Sequence, residues 1–430
     1  MGLNIGDIGK KFGILKDYAS LAVPVIIVVI ASVFLVISPL LGGKLERKVA
    51  SESLSKATQI KSLQSDVPPR DQWKIEEIFQ KAREQDANEI SNLVVETTQR
   101  ELLSYKIFPE PNDKSTLIFS DFGQRYKKAV EELVEDVNGR DCPSDSEIQQ
   151  YLSQDTASGG RSTQGYFGNG RQNVSRFSSG TKDIDTTIID AICQQKATQA
   201  RVYVNQLDIA GYNFWDNFNY EGWESAITSC WTWQIGNWII EDVFGTVKKC
   251  NENSTNVFDA PVKRIISVGF SAQEQERLRQ TERNDSSGEM EDGPVYVIKD
   301  EDGLANALTA RKCDDRFDIV HFALSVVLDS KDILRFTEQL CSAKEHKFKG
   351  FTGDQPQRIY KHNQITVLDY NIEQIEQNSP EHELYRYGDQ PVVKLYLICE
   401  YVFVKQGYEQ VMPQAVKDMI AGVESDVATE

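Results

Sequence analysis

Residues 317–340 read FDIVHFALSVVLDSKDILRFTEQL, and this stretch decides the fold class. In its first half Val320, Phe322, Leu324, Val326 and Leu328 alternate with other residues, which predicts a strand with one apolar face. After Asp329 the period changes. Ile333, Phe336, Thr337, Leu340 and Cys341 recur at three and four, which predicts a helix opening near Ser330. Two more strands follow, ITVLDYNIEQI (365–375) and VVKLYLICEYVFV (392–404). The order β-α-β-β defines an α+β class.

The region upstream has a similar texture. A helix over 184–199 leads into a predicted strand RVYVNQLDI (201–209), a helix over about 222–250 and a strand PVKRIISVGF (261–270). The economical expectation is two small sheets, each packed by a helix: one domain over 184–300 and a second over 313–425. The helix of the first of these domains carries CWTWQIGNWIIEDV (230–243). Trp223, Ile227, Trp231, Ile235 and Trp238 fall on one stripe, with Asp242 close to it, and this stripe is the expected inner face. Trp233 lies two places from Trp231, about 200° around the helix. It is expected on the opposite side, as a candidate partner contact.

The N-terminal third is different. Residues 21–41, LAVPVIIVVIASVFLVISPLL, carry no charge. As a helix they span roughly 31 Å, matching a bilayer core of about 30 Å. A single-pass anchor behind a tail of residues 1–20 is expected. The flanking Lys10, Lys11, Lys16 and Lys44, Arg47, Lys48 leave the orientation by charge nearly tied. Residues 44–153 read as a helical stalk interrupted at Pro68-Pro69. Within it Ile75, Ile78, Phe79, Ala82, Ile90, Leu93 and Val94 form an apolar stripe of coiled-coil character. A helix is expected over 122–138, and Ser144-x-x-Glu147 is a capping box for the next one. Residues 154–183, rich in Gly, Ser and Asn, form a linker.

Composition excludes some functions. The net charge of −18, from 47 basic and 65 acidic residues, is a poor match to a phosphate backbone, and no nucleic-acid partner is expected. The seven cysteines include no CxxC pair, which leaves no sequence signature of a zinc ribbon or redox motif. Cys230 and Cys250 share one helix about 30 Å apart and cannot bond there. No phosphate loop, dinucleotide fingerprint or HExxH occurs. Gly269-Phe270-Ser271 follows a strand like a nucleophile elbow but lacks the closing glycine. His321, on the second face of its strand, reads as a surface or partner-facing imidazole. No catalytic, cofactor-binding or metal-binding residue is assigned, and no enzyme activity is expected.

The ordered blocks RVYVNQLDI, WESAITSCWTWQIGNWIIEDVFGTVKKCN, APVKRIISV, FDIVHFALSVVLDSKDILRFTEQL, NQITVLDYNIEQI, YRYGDQPVVKLYLICEYVFV and VMPQAVKDMIAG cover about half of the chain. Together they resemble the PilO-like proteins of pilus-assembly loci in the Planctomycetes–Verrucomicrobia group. The resemblance implies a short cytoplasmic tail, one inner-membrane helix, a coiled coil and ferredoxin-like periplasmic domains. It implies a non-catalytic scaffold that aligns a type IV pilus or type II secretion-like machine, paired with itself or with a PilN-like protein. The segments 155–182, 271–293 and 341–362 look like insertions relative to that pattern. Two other readings remain: an extracytoplasmic ligand-binding or adhesin module with the tryptophans as its platform, and a membrane-anchored hydrolase using Ser271 or His321.

Overall fold

The computed structural model describes residues 24, 27–32, 47–62, 70–158, 182–271, 293–305, 308–376 and 379–421. The chain divides into two compact units, Met1–Asn88 and Glu89–Glu430. In the first, residues 27–32 and 47–62 are helical and solvent-exposed. The expected membrane span 21–41 lies mostly outside the described residues. Among those described, no helix is long and apolar enough to cross a membrane. Most of the expected linker 154–183 and of the loop 271–293 also lies outside them.

Helix α1 (Arg70–Thr97) starts after Pro68-Pro69. Its apolar residues Ile75, Ile78, Phe79, Ile90 and Leu93 are all exposed. The second unit begins within this helix. There α2 (Thr116–Asp136) buries Phe119, Phe122, Tyr126, Val130 and Val134, spaced by three and four. The strand β1 (Gly139–Arg140) follows. Next come α3 (Asp145–Ser158) and α4 (Lys182–Gln199). The expected capping box opens α3: the Ser144 N–H donates to Glu147 Oε2 at 2.9 Å, and the Glu147 N–H donates to Ser144 Oγ at 3.3 Å.

The predicted strand 201–209 shrinks to β2 (Val202–Tyr203), because a 3-10 turn over Gln206–Asp208 interrupts it. The Asn205 side chain accepts from the Leu207 N–H and holds that turn. Helix α5 (Trp223–Cys250), strand β3 (Val262–Gly269), strand β4 (Phe317–Asp329) and helix α6 (Ile333–Leu340) sit close to the sequence reading. After them come β5 (Lys344–Phe348), β6 (Arg358–His362), β7 (Ile365–Gln374), β8 (Val392–Val404) and α7 (Gln414–Ile420).

The strands do not form two small sheets. Six of them form one sheet in the order β1-β2-β3-β4-β8-β7, and β5 pairs with β6 as a separate hairpin. The joining seam is the antiparallel ladder of β3 and β4, with Val262 opposite Leu328 and Gly269 opposite Ala323. This corrects the expectation of separate ferredoxin-like domains over 184–300 and 313–425, because β3 and β4 belong to different predicted domains yet share backbone hydrogen bonds. The fold is mixed α+β with one dominant core. Residues 341–362, which read as an insertion, are the β5–β6 hairpin.

Strand β4 explains how one sheet supports this core. Val320, Phe322, Leu324, Val326 and Leu328 join the main apolar cluster, as alternation predicted. The opposite face is buried too: Ala323 packs with Tyr396 and Ile398, covered by Leu304, Ala305 and Leu368. A strand buried on both faces is a central strand, and burying each large aliphatic side chain stabilises the fold by about 1.5–3 kcal/mol.

Helix α5 lies inside the unit, and its predicted inner stripe is buried at Ile227, Trp231, Ile235 and Trp238. Trp233 is buried as well, only 3 % exposed, which corrects its assignment as a partner contact. Its indole meets Phe214 at 5.6 Å, Tyr126 at 5.7 Å and Phe270 at 6.1 Å between ring centroids. The single-stripe reading assumed one covered face, but α2 and the 210–218 segment cover the other. Gly211 makes room for it. At φ +78° it adopts a left-handed conformation, and a Cβ there would lie 2.3 Å from the Trp233 ring.

Candidate functional site

The most concentrated chemistry in the second unit is a buried ionic joint at the C-terminal end of α1. Arg100, three residues past the helix, is 3 % exposed. Its guanidinium donates to Glu241 Oε2 at 2.7 Å and to the Tyr401 hydroxyl at 2.9 Å, and lies 3.1 Å from Asp242 Oδ2. Glu241 and Asp242 are consecutive on α5, so one faces the half-buried rim and the other the interior. The Tyr401 hydroxyl, from β8, lies 2.8 Å from Asp242 Oδ2 and 3.0 Å from Gln364 Oε1, and its single hydrogen serves one of these acceptors at a time.

The hairpin completes the joint. His362, at the end of β6, places Nε2 2.7 Å from Asp242 Oδ2. His346, opposite on β5, places Nε2 2.7 Å from the Gln99 carbonyl oxygen. The two Nδ1 atoms face each other at 2.9 Å. Farther along the hairpin Arg358 and Tyr360 donate to Glu96 on α1, at 2.6 and 2.7 Å. Thus α1, α5, β8 and the hairpin meet through polar side chains.

The electrostatics follow from this packing. Burial alone would raise the Asp242 carboxyl, but the Arg100 charge and the hydrogen bonds from His362 and Tyr401 outweigh it and hold the group well below the usual carboxylate range. Burial lowers Arg100, yet Asp242, Tyr401 and Glu241 reverse this and leave it raised. Burial pushes Glu241 up, with Arg100 opposing. Burial pushes both histidines down, helped by Arg100: His362 moves below its ordinary value and His346 to about 4.

Chemically, the joint contains an Asp–His–His line but no nucleophile on it. The second imidazole nitrogen of His362 meets another imidazole, where an acyl-transfer site would place Ser or Cys. Its contacts clamp four chain segments together. Among the described residues, no group of three or more His, Cys, Asp or Glu side chains is placed to hold a metal ion.

The residues singled out by sequence lie elsewhere. Ser271 is buried just past the end of β3. His321 is 3 % exposed, which corrects its reading as a surface imidazole: both faces of β4 are covered. Its Nδ1 accepts from the Leu304 N–H at 3.1 Å, and burial lowers its pKa. It stands across from Glu400 on β8, itself fully buried and held by Arg311 at 2.6 Å and Thr309 at 2.9 Å. The tryptophans expected as a ligand platform, Trp231, Trp233 and Trp238, are buried.

Sequence reasoning missed the joint because its members are far apart in the chain. One signal was present: Asp242 follows the apolar stripe of α5, and a carboxylate on an inward face requires a buried cation.

No family profile matches the sequence, and no curated protein matches it. A crystal structure of a protein from Akkermansia muciniphila aligns with 67 % of this chain and 95 % of its own, at 10 % identity and a TM-score of 0.21. A likeness of that size carries no functional argument.

Proposed function

We propose that the protein is a non-catalytic scaffold of an envelope assembly, resembling PilO-type alignment proteins. In this reading it is anchored by residues 21–41 in the bacterial inner membrane, with its body in the periplasm. It pairs with a second copy or with a homologous PilN-like partner, and the machine it serves is a type IV pilus or a type II secretion-like system. The observation that carries the reading is the uncovered stripe of α1. Ile75, Ile78, Phe79, Ile90 and Leu93 are 52–66 % exposed along one helical face, while the body buries its own aromatics thoroughly. Water-facing isoleucine, phenylalanine and leucine repeated at helical spacing favour a partner helix. Strand β7, at one edge of the sheet, adds exposed Tyr370 and Ile372.

Light scattering on the detergent-extracted full chain tests this. The chain is expected to run as a dimer or to co-purify with one partner, and Ile78→Glu with Phe79→Glu is expected to release monomers. A wild-type chain that is monomeric in detergent, and yields no partner after crosslinking in membranes, overturns the proposal.

A further inference from the structure

The joint contains a contact that the scaffold reading does not use. His346 Nε2 lies against a carbonyl oxygen, which only accepts, so this nitrogen carries hydrogen. His362 Nε2 lies against the Asp242 carboxylate, which stays ionised, so it also carries hydrogen. Whatever else titrates must therefore sit between the two Nδ1 atoms, 2.9 Å apart. That gap accommodates one proton, donated by one imidazole to the other. It has no room for two, because two N–H groups would then point at each other with two positive charges behind them.

We propose that the facing histidines make the β5–β6 hairpin an acid-released latch: the closed contact tolerates at most one proton between His346 and His362, and a second one detaches the hairpin from α5 and from the end of α1. The charged and titratable neighbours come from every element packed on the pair. Arg100 follows α1, Glu241 and Asp242 come from α5, Lys344 from β5, Tyr360 from β6 and Tyr401 from β8. The Lys344 ammonium is tied to the carbonyls of Gln339, Leu340 and Ser342 at 2.7–3.0 Å. None of the cations can move aside without losing its own partners. Once the histidines part, the imidazole–carbonyl bond from His346 to Gln99 and the imidazole–carboxylate bond from His362 to Asp242 are lost together. The more exposed contacts of Arg358 and Tyr360 to Glu96 remain between the hairpin and α1.

The sign is set by linkage. The closed hairpin binds fewer protons than the open one wherever an exposed histidine, with pKa about 6.5, would be charged. Closure is therefore favoured above that pH and weakens as pH falls. Each proton taken up on opening changes the open population by up to tenfold per pH unit, or about fiftyfold between pH 6.5 and 4.5.

Hydrogen–deuterium exchange of the full chain in detergent, corrected for the intrinsic pH dependence of exchange, tests this. Protection over residues 344–362 is expected to fall about fiftyfold from pH 6.5 to 4.5, while β4 and β8 keep theirs. In His346→Gln, whose amide can still donate to the Gln99 carbonyl but does not titrate, the hairpin's protection is expected to stay flat with pH. Glu241→Gln, which removes the neighbouring carboxyl that burial pushes up, is expected to leave the release in place. If His346→Gln does not fold, nitrogen-15 imidazole spectra of the wild-type chain decide. The second protonation of the pair is expected to coincide with loss of hairpin protection. Unchanged hairpin protection down to pH 4.5, or two fully protonated imidazoles with the hairpin still closed, overturns the proposal.

Discussion

Replacing Arg100 with Met removes the central cation of the joint while keeping most of the side-chain volume. The wild-type guanidinium makes two ion pairs, at 2.7 and 3.1 Å, and one hydrogen bond to Tyr401 at 2.9 Å. Asp242 is 4 % exposed and would keep only the His362 and Tyr401 bonds. Removing one partner of such a buried pair costs about 3–5 kcal/mol, because a charge is left uncompensated in the interior. Asp242→Asn should destabilise for the mirror reason. The double variant should then cost at least about 1 kcal/mol less than the sum of the singles, since neither orphan charge remains. Urea unfolding in detergent, followed by tryptophan emission, reads this directly. Trp238 reports locally, because its indole N–H donates to the Glu101 carbonyl at 2.8 Å, one residue from Arg100. The free-energy change comes from the shift in midpoint and the slope. An Arg100→Met cost below about 1 kcal/mol, the range of surface pairs, would refute the joint as an interior clamp; strictly additive singles would refute the coupling.

Gly211→Ala should destabilise by about 1–3 kcal/mol, read as a lowered urea midpoint, because the new Cβ overpacks the Trp233 ring in a left-handed backbone position. Lys263 is fully buried, 3.2 Å from Asp329, and burial lowers its pKa. Between its lowered folded pKa and the unfolded value of about 10.4 the unfolded chain therefore binds more protons there, so wild-type stability should rise with pH toward 10 relative to Lys263→Met. All seven cysteines are free, with Cys193, Cys230, Cys250 and Cys399 buried. Alkylation after denaturation without reductant should modify seven thiols in the intact mass, and any unmodified pair would contradict the packing around them.

Local patterns carried much of this architecture. The alternation in Phe317–Asp329 and the long apolar texture of Trp223–Cys250 gave both elements close to their observed limits. What periodicity could not supply was pairing. The β3–β4 seam joins Val262 to Leu328 across a long chain separation, and nothing local distinguishes a strand that closes a small sheet from one that continues a larger one. The same blindness misplaced Trp233 and His321. Angle around a helix or face of a strand tells which residues lie together, but not whether one face is covered or both. The site was less legible still. Arg100, Asp242, His346, His362 and Tyr401 carry no motif and come from four structural elements and a connecting segment. Only the inward carboxylate on α5 hinted that a cation had to meet it.

The scaffold account stands or falls on what covers the apolar stripe of α1. A photo-crosslinking residue placed at Ile75 or Leu93, both 52–66 % exposed on the stripe, reads this in intact membranes. Placed at Trp73, about 200° around the helix from Ile75, it supplies the internal control. The account predicts a covalent adduct with a second copy or a single partner protein from Ile75 and Leu93, and little from Trp73. Equal yields from all three positions, or no adduct from any, would contradict it.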